Sequence, residues 1–202
     1  MPSIISKEEL EEFSKVKGNV TGACILSDLE FILRKEGEKG LKRLEDTLAN
    51  LGYPLKYSEI KRNLTTLYPL TWAVVLIVTI KRLFNYNDKD LKEMGEAEAK
   101  ISSLIIRLFM RYFVSFEKAA KEAPRMWREH YKVGDLKIVE HDKEKKYVVL
   151  RIENFAPHPL ILKVLKGYFA GIIKMIVGKD VDSKETKSPF KGDGYCEFLL
   201  TW

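Results

Sequence analysis

Up to Gly134 the apolar positions recur at a helical spacing near 3.6 residues; beyond it they alternate with polar ones, interrupted by one further helical stretch. Ser6-Lys7-Glu8-Glu9 reads as a capping box for a short first helix, and residues 19–24, after Gly18, read as an extended edge segment. Ser27-Asp28-Leu29-Glu30 repeats the capping signature and predicts a helix to about Lys35, then a second over 38–50 beyond Gly37. Residues 57–67 are a short helix or loop. From Leu70 to Ile80 every face is apolar, which predicts a helix buried all round, with Pro69 in its first turn.

A polar helix over 88–99 leads into 101–116, where Ser103, Arg107 and Arg111 leave one wet stripe on an otherwise apolar helix, and Pro124 opens another short helix. Leu136 and Ile138 then alternate with Lys137 and Val139, Asp142-Lys143-Glu144 turns the chain, and Val148, Leu150 and Ile152 form the inward face of the returning strand. A long helix spans 159–177, the polar segment 180–187 is an exposed edge strand, and Gly192-Asp193-Gly194 launches a last strand. In that strand Cys196, Phe198, Leu200 and Trp202 share one face, and Tyr195, Glu197, Leu199 and Thr201 the other. The order predicts an α+β fold: N-terminal helices packed on a small antiparallel sheet built from two hairpins separated by a long helix.

The chain has 202 residues, 46% of them hydrophobic and 32% charged, which supports one domain over 18–202 with an extension over 1–17 and excludes disorder as the organising principle. The net charge of +6 is spread among acids, with Lys42-Arg43 beside Glu45-Asp46, so no nucleic-acid stripe forms. Glutamine is absent while Lys and Glu abound, the bias expected of a protein from a hot environment. Cys24 and Cys196 lie in no C-x-x-C pair and read as reduced buried thiols. The N-terminus lacks the apolar run of a signal peptide, and the run from Leu70 to Ile80 is too short to span a bilayer, so a soluble cytoplasmic protein without a membrane span is expected.

Three segments carry a family resemblance: Lys17-Gly18-Asn19-Val20-Thr21, Pro124-Arg125-Met126-Trp127-Arg128-Glu129-His130-Tyr131, and the end from Gly192 to Trp202 with Cys196-Glu197-Phe198 and Thr201-Trp202. Together they resemble the ligand-binding superfamily of the heme-nitric-oxide-binding (H-NOX) domains, the 4-vinyl reductase domains and the Bet subunits of the TRAPP complex, and most of all a group of proteins abundant in myxobacteria. The resemblance covers nearly the whole chain from Gly18. It implies helices and sheet enclosing an apolar cavity, used by relatives for heme, lipid or tetrapyrrole-like ligands.

H-NOX domains clamp heme propionates with a Tyr-x-Ser-x-Arg motif before the long C-terminal helix and bind iron through an upstream His. The matching positions here are Leu150, Ile152 and Asn154, and the proximal position falls near Glu122 and Ala123, with His130 several residues away. No cofactor is therefore expected. With His130, His141 and His158 in no metal spacing and a single cysteine near the C-terminus, no metal is expected either. Lacking a Gly-x-Ser-x-Gly elbow, the chain reads as a non-enzyme.

The expected role is a binding or sensor domain for a hydrophobic small molecule, a homodimer, with the ligand between helices 69–84 and 101–116 and the sheet. Trp72, Leu76, Phe109, Phe113, Trp127, Tyr131, Phe155 and Phe169 are the candidate lining, and Arg128 and Arg151 the candidate cations for a ligand carboxylate. The alternatives are a protein–protein assembly module with a filled core and a heme-based gas sensor.

Overall fold

The computed structural model describes residues 4–112 and 116–202, and for 101–112 and 116–120 the backbone alone. Helix α1 (Lys7–Ser14) opens with the expected capping box: Ser6 Oγ accepts from Glu9 N, and the Glu9 carboxylate accepts from Ser6 N. β1 (Asn19–Thr21) pairs antiparallel with β2 (Leu67–Pro69), and between them lie α2 (Gly22–Asn50) and α3 (Tyr57–Arg62). α2 breaks at Gly37, whose φ of 72° is left-handed, into the two helices expected there.

The start of α2 differs from the expectation. It begins at Gly22 rather than after Ser27, because the loop before β2 caps it from outside: Gly22 N donates to Thr66 O at 2.8 Å and Ala23 N to Leu64 O at 3.0 Å. Ser27, inside the helix, donates its hydroxyl to Ala23 O. α4 (Leu70–Leu83) is buried from Leu70 to Ile80 except on the side of Trp72, and Pro69 stands before it, in β2. α1 packs on α4, where Thr71 donates its hydroxyl to Phe13 O.

α5 (Asp88–Tyr112) runs unbroken where two helices were expected, and α6 (Phe116–His130) carries Pro124 inside rather than at its start. Proline lacks an N–H and so gives up one rung, while the rest of α6 continues through it. The wet stripe of Ser103, Arg107 and Arg111 lies outside the described side chains.

The second half forms a four-stranded antiparallel sheet in the order β3 (Asp135–Asp142), β4 (Tyr147–Glu153), β6 (Tyr195–Thr201), β5 (Asp182–Lys187). The two hairpins meet through β4 and β6, which pair Leu150 with Phe198 and Ile152 with Cys196. Leu136, Val148, Leu150, Ile152, Cys196, Phe198 and Leu200 form the buried face, and α7 (Pro159–Val177) covers it. The charged β5 occupies an edge, as its polarity demands.

α7 is held from both sides. Phe169 meets Phe198 of the sheet at 5.4 Å between ring centroids, and the opposite face lies against α5 through glycines. A Cβ on Gly95 would stand 1.9 Å from Val164 O, one on Gly167 2.0 Å from Lys92 O, and one on Gly171 2.7 Å from Ala99 Cβ. The backbones of the two helices are in contact, and only glycine allows it.

Gly95→Ala or Gly167→Ala therefore lowers stability by about 3 kcal/mol or more. Gly194→Ala, whose added methyl meets nothing within 4 Å, shifts it little. Urea denaturation of the three variants checks the contrast.

His158 caps α7, its Nδ1 accepting from Leu160 N at 3.2 Å while its ring edge meets Phe13. Burial, then the Arg82 cation, hold its pKa below the ordinary 6.5. A base with a depressed folded value stabilises the fold above its unfolded value and loses that contribution as the pH falls through the folded one. Thermal melts between pH 7.5 and 4.5 should show this loss beginning near about 6.5, and His158→Asn, which caps without titrating, should remove it.

Candidate functional site

The end of α6 is tied to both halves of the molecule. Trp127 donates its indole N–H to Val133 O at 3.0 Å and Gly134 O at 3.1 Å, and its ring stacks on Tyr131 at 4.3 Å and 10° between planes. Phe155 presents its edge to both rings, at 5.2 and 5.6 Å. Behind it the Cys196 thiol donates to Phe155 O at 3.1 Å. On the other side Lys132 N donates to Asn19 O, Val20 bridges Tyr131, and Gly18 lies so close to Val133 that a Cβ there would stand 2.5 Å from the valine Cβ. The three segments that carry the family resemblance thus converge in one knot, which makes their residues structural to the fold and turns the Trp127–Tyr131 stack into an interior wall. Each aromatic pair adds about 0.5–1.5 kcal/mol beyond the area it buries.

Against Tyr131 stands a polar group that periodicity did not suggest. Asp28, buried at 6% exposure on α2, hydrogen-bonds to the carboxyl of Glu98 on α5. Cys24 lies one turn before Asp28, with its Sγ 3.9 Å from Thr21 Oγ1. Burial raises the proton affinity of all four groups: the two carboxyls, the Cys24 thiol and the Tyr131 hydroxyl. The negative charges of Asp28 and Glu98 add to the effect on both Cys24 and Tyr131. Glu98 Oε1 has neither water access nor a hydrogen-bond partner. A faint signal existed: Asp28 sits on the stripe of Ile25, Leu29 and Ile32, where a solvated carboxylate has no place. Glu98 likewise follows Leu91 and Met94 on the buried side of α5.

The proposed lining residues divide among different neighbourhoods. Trp127, Tyr131 and Phe155 come together as described. Trp72 is half-buried against Tyr53 and Tyr68, Leu76 is fully buried in α4, and Phe169 lies between Tyr168 and Phe198. Phe113 and the Phe109 side chain lie outside the described residues.

Arg128 and Arg151 face outward. Arg128 reaches Asp135 at 3.9 Å; Arg151 binds Glu197 at 2.9 Å on the outer face of the sheet and lies over the Tyr195 ring. A small open depression of about 230 Å³, lined by Lys92, Glu96, Ala170, Lys174, Asp180 and Val181, holds none of the expected residues.

No family model matches the chain, and no curated protein is similar to it in sequence. Solved structures are similar in fold. An H-NOX protein from S. oneidensis in the Fe(II)NO state shares 11% identity over 89% of this chain and 97% of its own, at a TM-score of 0.64. The Fe(II) unliganded H-NOX protein from K. algicida shares 10% over 90% and 95%, at 0.61. A trafficking protein particle complex subunit 3 from Naegleria fowleri, covalently bound to palmitic acid, covers 61% of this chain at a TM-score of 0.42, too low to add to the assignment. The chain has the H-NOX fold, as the motif resemblance implied.

The positions that the sequence sets against the H-NOX heme clamp and proximal turn are Leu150, Ile152, Asn154 and the turn at Glu122 and Ala123. Leu150 and Ile152 point into the apolar core, and Asn154 lies past the end of β4 with φ 55°. On α6, Glu122 pairs with Arg125 and Ala123 packs on the core. His130 is half-buried with a lowered pKa, from burial first, two turns beyond Ala123. Among the described residues no three of His, Cys, Asp or Glu converge as a metal site, and no helix is long and apolar enough to cross a membrane.

For Asp28 and Glu98 the folded proton affinities are raised, so their contribution to stability is complete below the ordinary carboxylate range and is lost as the pH rises through the folded values. Glu98→Gln keeps the shape without ionising. It should match the parent near about pH 4 and exceed it at pH 8, as read by thermal denaturation across that range.

Proposed function

We propose that this chain is a non-catalytic binding or sensor domain for a hydrophobic small molecule, held in the interior between α2, α5 and the Trp127–Tyr131 wall. The carrying observation is a mismatch at three side chains. Cys24, Glu98 and Tyr131 keep part of their accessible surface, yet protein surrounds their polar ends closely enough that desolvation dominates the proton affinity of each. Side chains with that combination, on three different segments, are where the lining of an interior binding site would be found.

The likeness to H-NOX proteins supports the reading at the level of fold, a scaffold that in those structures carries an iron ligand. Heme is the second reading rather than the first, because the positions set against the clamp, Leu150 and Ile152, are apolar and the nearest histidine on α6 is His130, two turns beyond Ala123. Affinity for an apolar guest would come from surface removed from water, at roughly 25 cal/mol per Å² before ordering costs.

Organic extraction and native mass spectrometry of the purified protein test the proposal. The expected result is an apolar molecule in the extract, or a rise in melting temperature with added aliphatic compounds, and no Soret band when hemin is added. A bare protein whose melting temperature no apolar compound raises would overturn it. A Soret band with a six- or five-coordinate signature lost in His130→Ala would install the heme reading instead.

A further inference from the structure

Among the described residues three buried side-chain oxygens have no hydrogen-bond partner, Thr79 Oγ1, Ser183 Oγ and Glu98 Oε1, and only the last belongs to an acid. That oxygen is shielded from water, and the carboxyl it belongs to stands against that of Asp28. Around the pair, α2 supplies Cys24 and Asp28, α5 supplies Glu98, and the residue after α6 is Tyr131, itself influenced by Tyr168 of α7. All of these are acids or neutral hydroxyl and thiol groups, and among the described residues none brings a cation to either carboxyl. Buried acids are ordinarily matched by a positive partner, and removing that partner is strongly destabilising.

The position of the arginines sharpens the point. Arg128 and Arg151, which would serve a ligand carboxylate, are occupied by Asp135 and Glu197 on the outside. A metal ion needs several more oxygen, nitrogen or sulfur donors, and no such set converges among the described residues. An ammonium group needs only two or three acceptors, since each of its N–H bonds donates once.

We infer that Asp28 and Glu98 form the head-group site of the interior, and that the guest is a hydrophobic amine. The inference rests on the hollow interior proposed above. The ammonium donates to Glu98 Oε1 and to an Asp28 oxygen, its chain lies toward the Trp127–Tyr131 stack, and the proton shared by the two carboxyls leaves to solvent. One cation enters and one proton departs; no covalent bond in protein or guest changes.

The test uses three probes of equal length below their micellar concentrations: dodecylamine, dodecanol and dodecanoic acid. Isothermal titration calorimetry on the full chain at pH 7.5 should show dodecylamine binding tightest, with a heat that varies with buffer ionisation enthalpy as release of one proton requires. Its affinity should fall as the pH is lowered toward 5, where both carboxyls hold their protons.

Glu98→Gln and Asp28→Asn should each weaken dodecylamine roughly tenfold or more and leave dodecanol within about twofold. Retained dodecanol binding shows that each variant keeps its fold and its interior, and the proton-release measurement needs no variant at all. If dodecanol or dodecanoic acid binds as tightly as the amine, or Glu98→Gln leaves amine affinity unchanged, the head-group inference fails while the hollow interior stands. If none of the three binds, the hollow interior fails and takes this inference with it.

Discussion

The backbone contact between α5 and α7 is the constraint from which the rest of the architecture follows. Gly95, Gly167 and Gly171 let two helices approach until a single methyl group would collide with a carbonyl oxygen. α7 is already bound to the sheet by Phe169, Leu162, Leu165 and their neighbours, so the contact joins the α/β half to the helical half as one core. It also sets the rotation of α5. With Gly95 against α7, Glu98 lies about a turn further on and is carried to the face that meets α2, where Asp28 waits. An acid placed there is a consequence of helix packing.

Electrostatics gives that placement its meaning. A surface pair such as Lys42 with Asp46 contributes little, because water screens it and solvates each partner when they separate. A carboxyl pair in the interior has no such refuge: at least one proton must stay with it, and any further ionisation is opposed by both burial and like charge. Core packing would be served better by leucine at both positions. Retaining two acids there is therefore a feature that stability does not explain, and buried acids with perturbed proton affinity concentrate at functional sites for this reason.

Local signals in the chain carried the elements well. The capping box at Ser6, the break at Gly37, the helix from Pro159 to Val177 and both hairpins depend on residues close in sequence, and all appear where periodicity and turn chemistry put them. The misplaced start of α2 had a non-local cause, since the carbonyls of Leu64 and Thr66 come from a loop more than one helix away. Pro124 misled for a different reason: proline is common in a first turn, but here the residues before it, Glu117 to Ala123, are themselves strong helix formers and carry the helix up to it. The candidate site was legible only in part. Trp127, Tyr131 and Phe155 could be named from aromatic content, but Asp28 and Glu98 belong to different helices, and each alone resembles an ordinary surface acid.

The same fold can therefore serve different guests by changing few positions. In an H-NOX domain the clamp before the last helix receives carboxylates and the upstream helix offers a histidine to iron. Here the corresponding positions Leu150 and Ile152 belong to the hydrophobic core, the end of α6 leads into the Trp127–Tyr131 stack, and the charge-bearing interior groups among the described side chains are the acids Asp28 and Glu98. If that interior takes a guest, as proposed above, a propionate meets like charge and a donor or cation meets an oxygen without a partner; the glycine contact and the aromatic knot set the shape, and the buried acids set the preference.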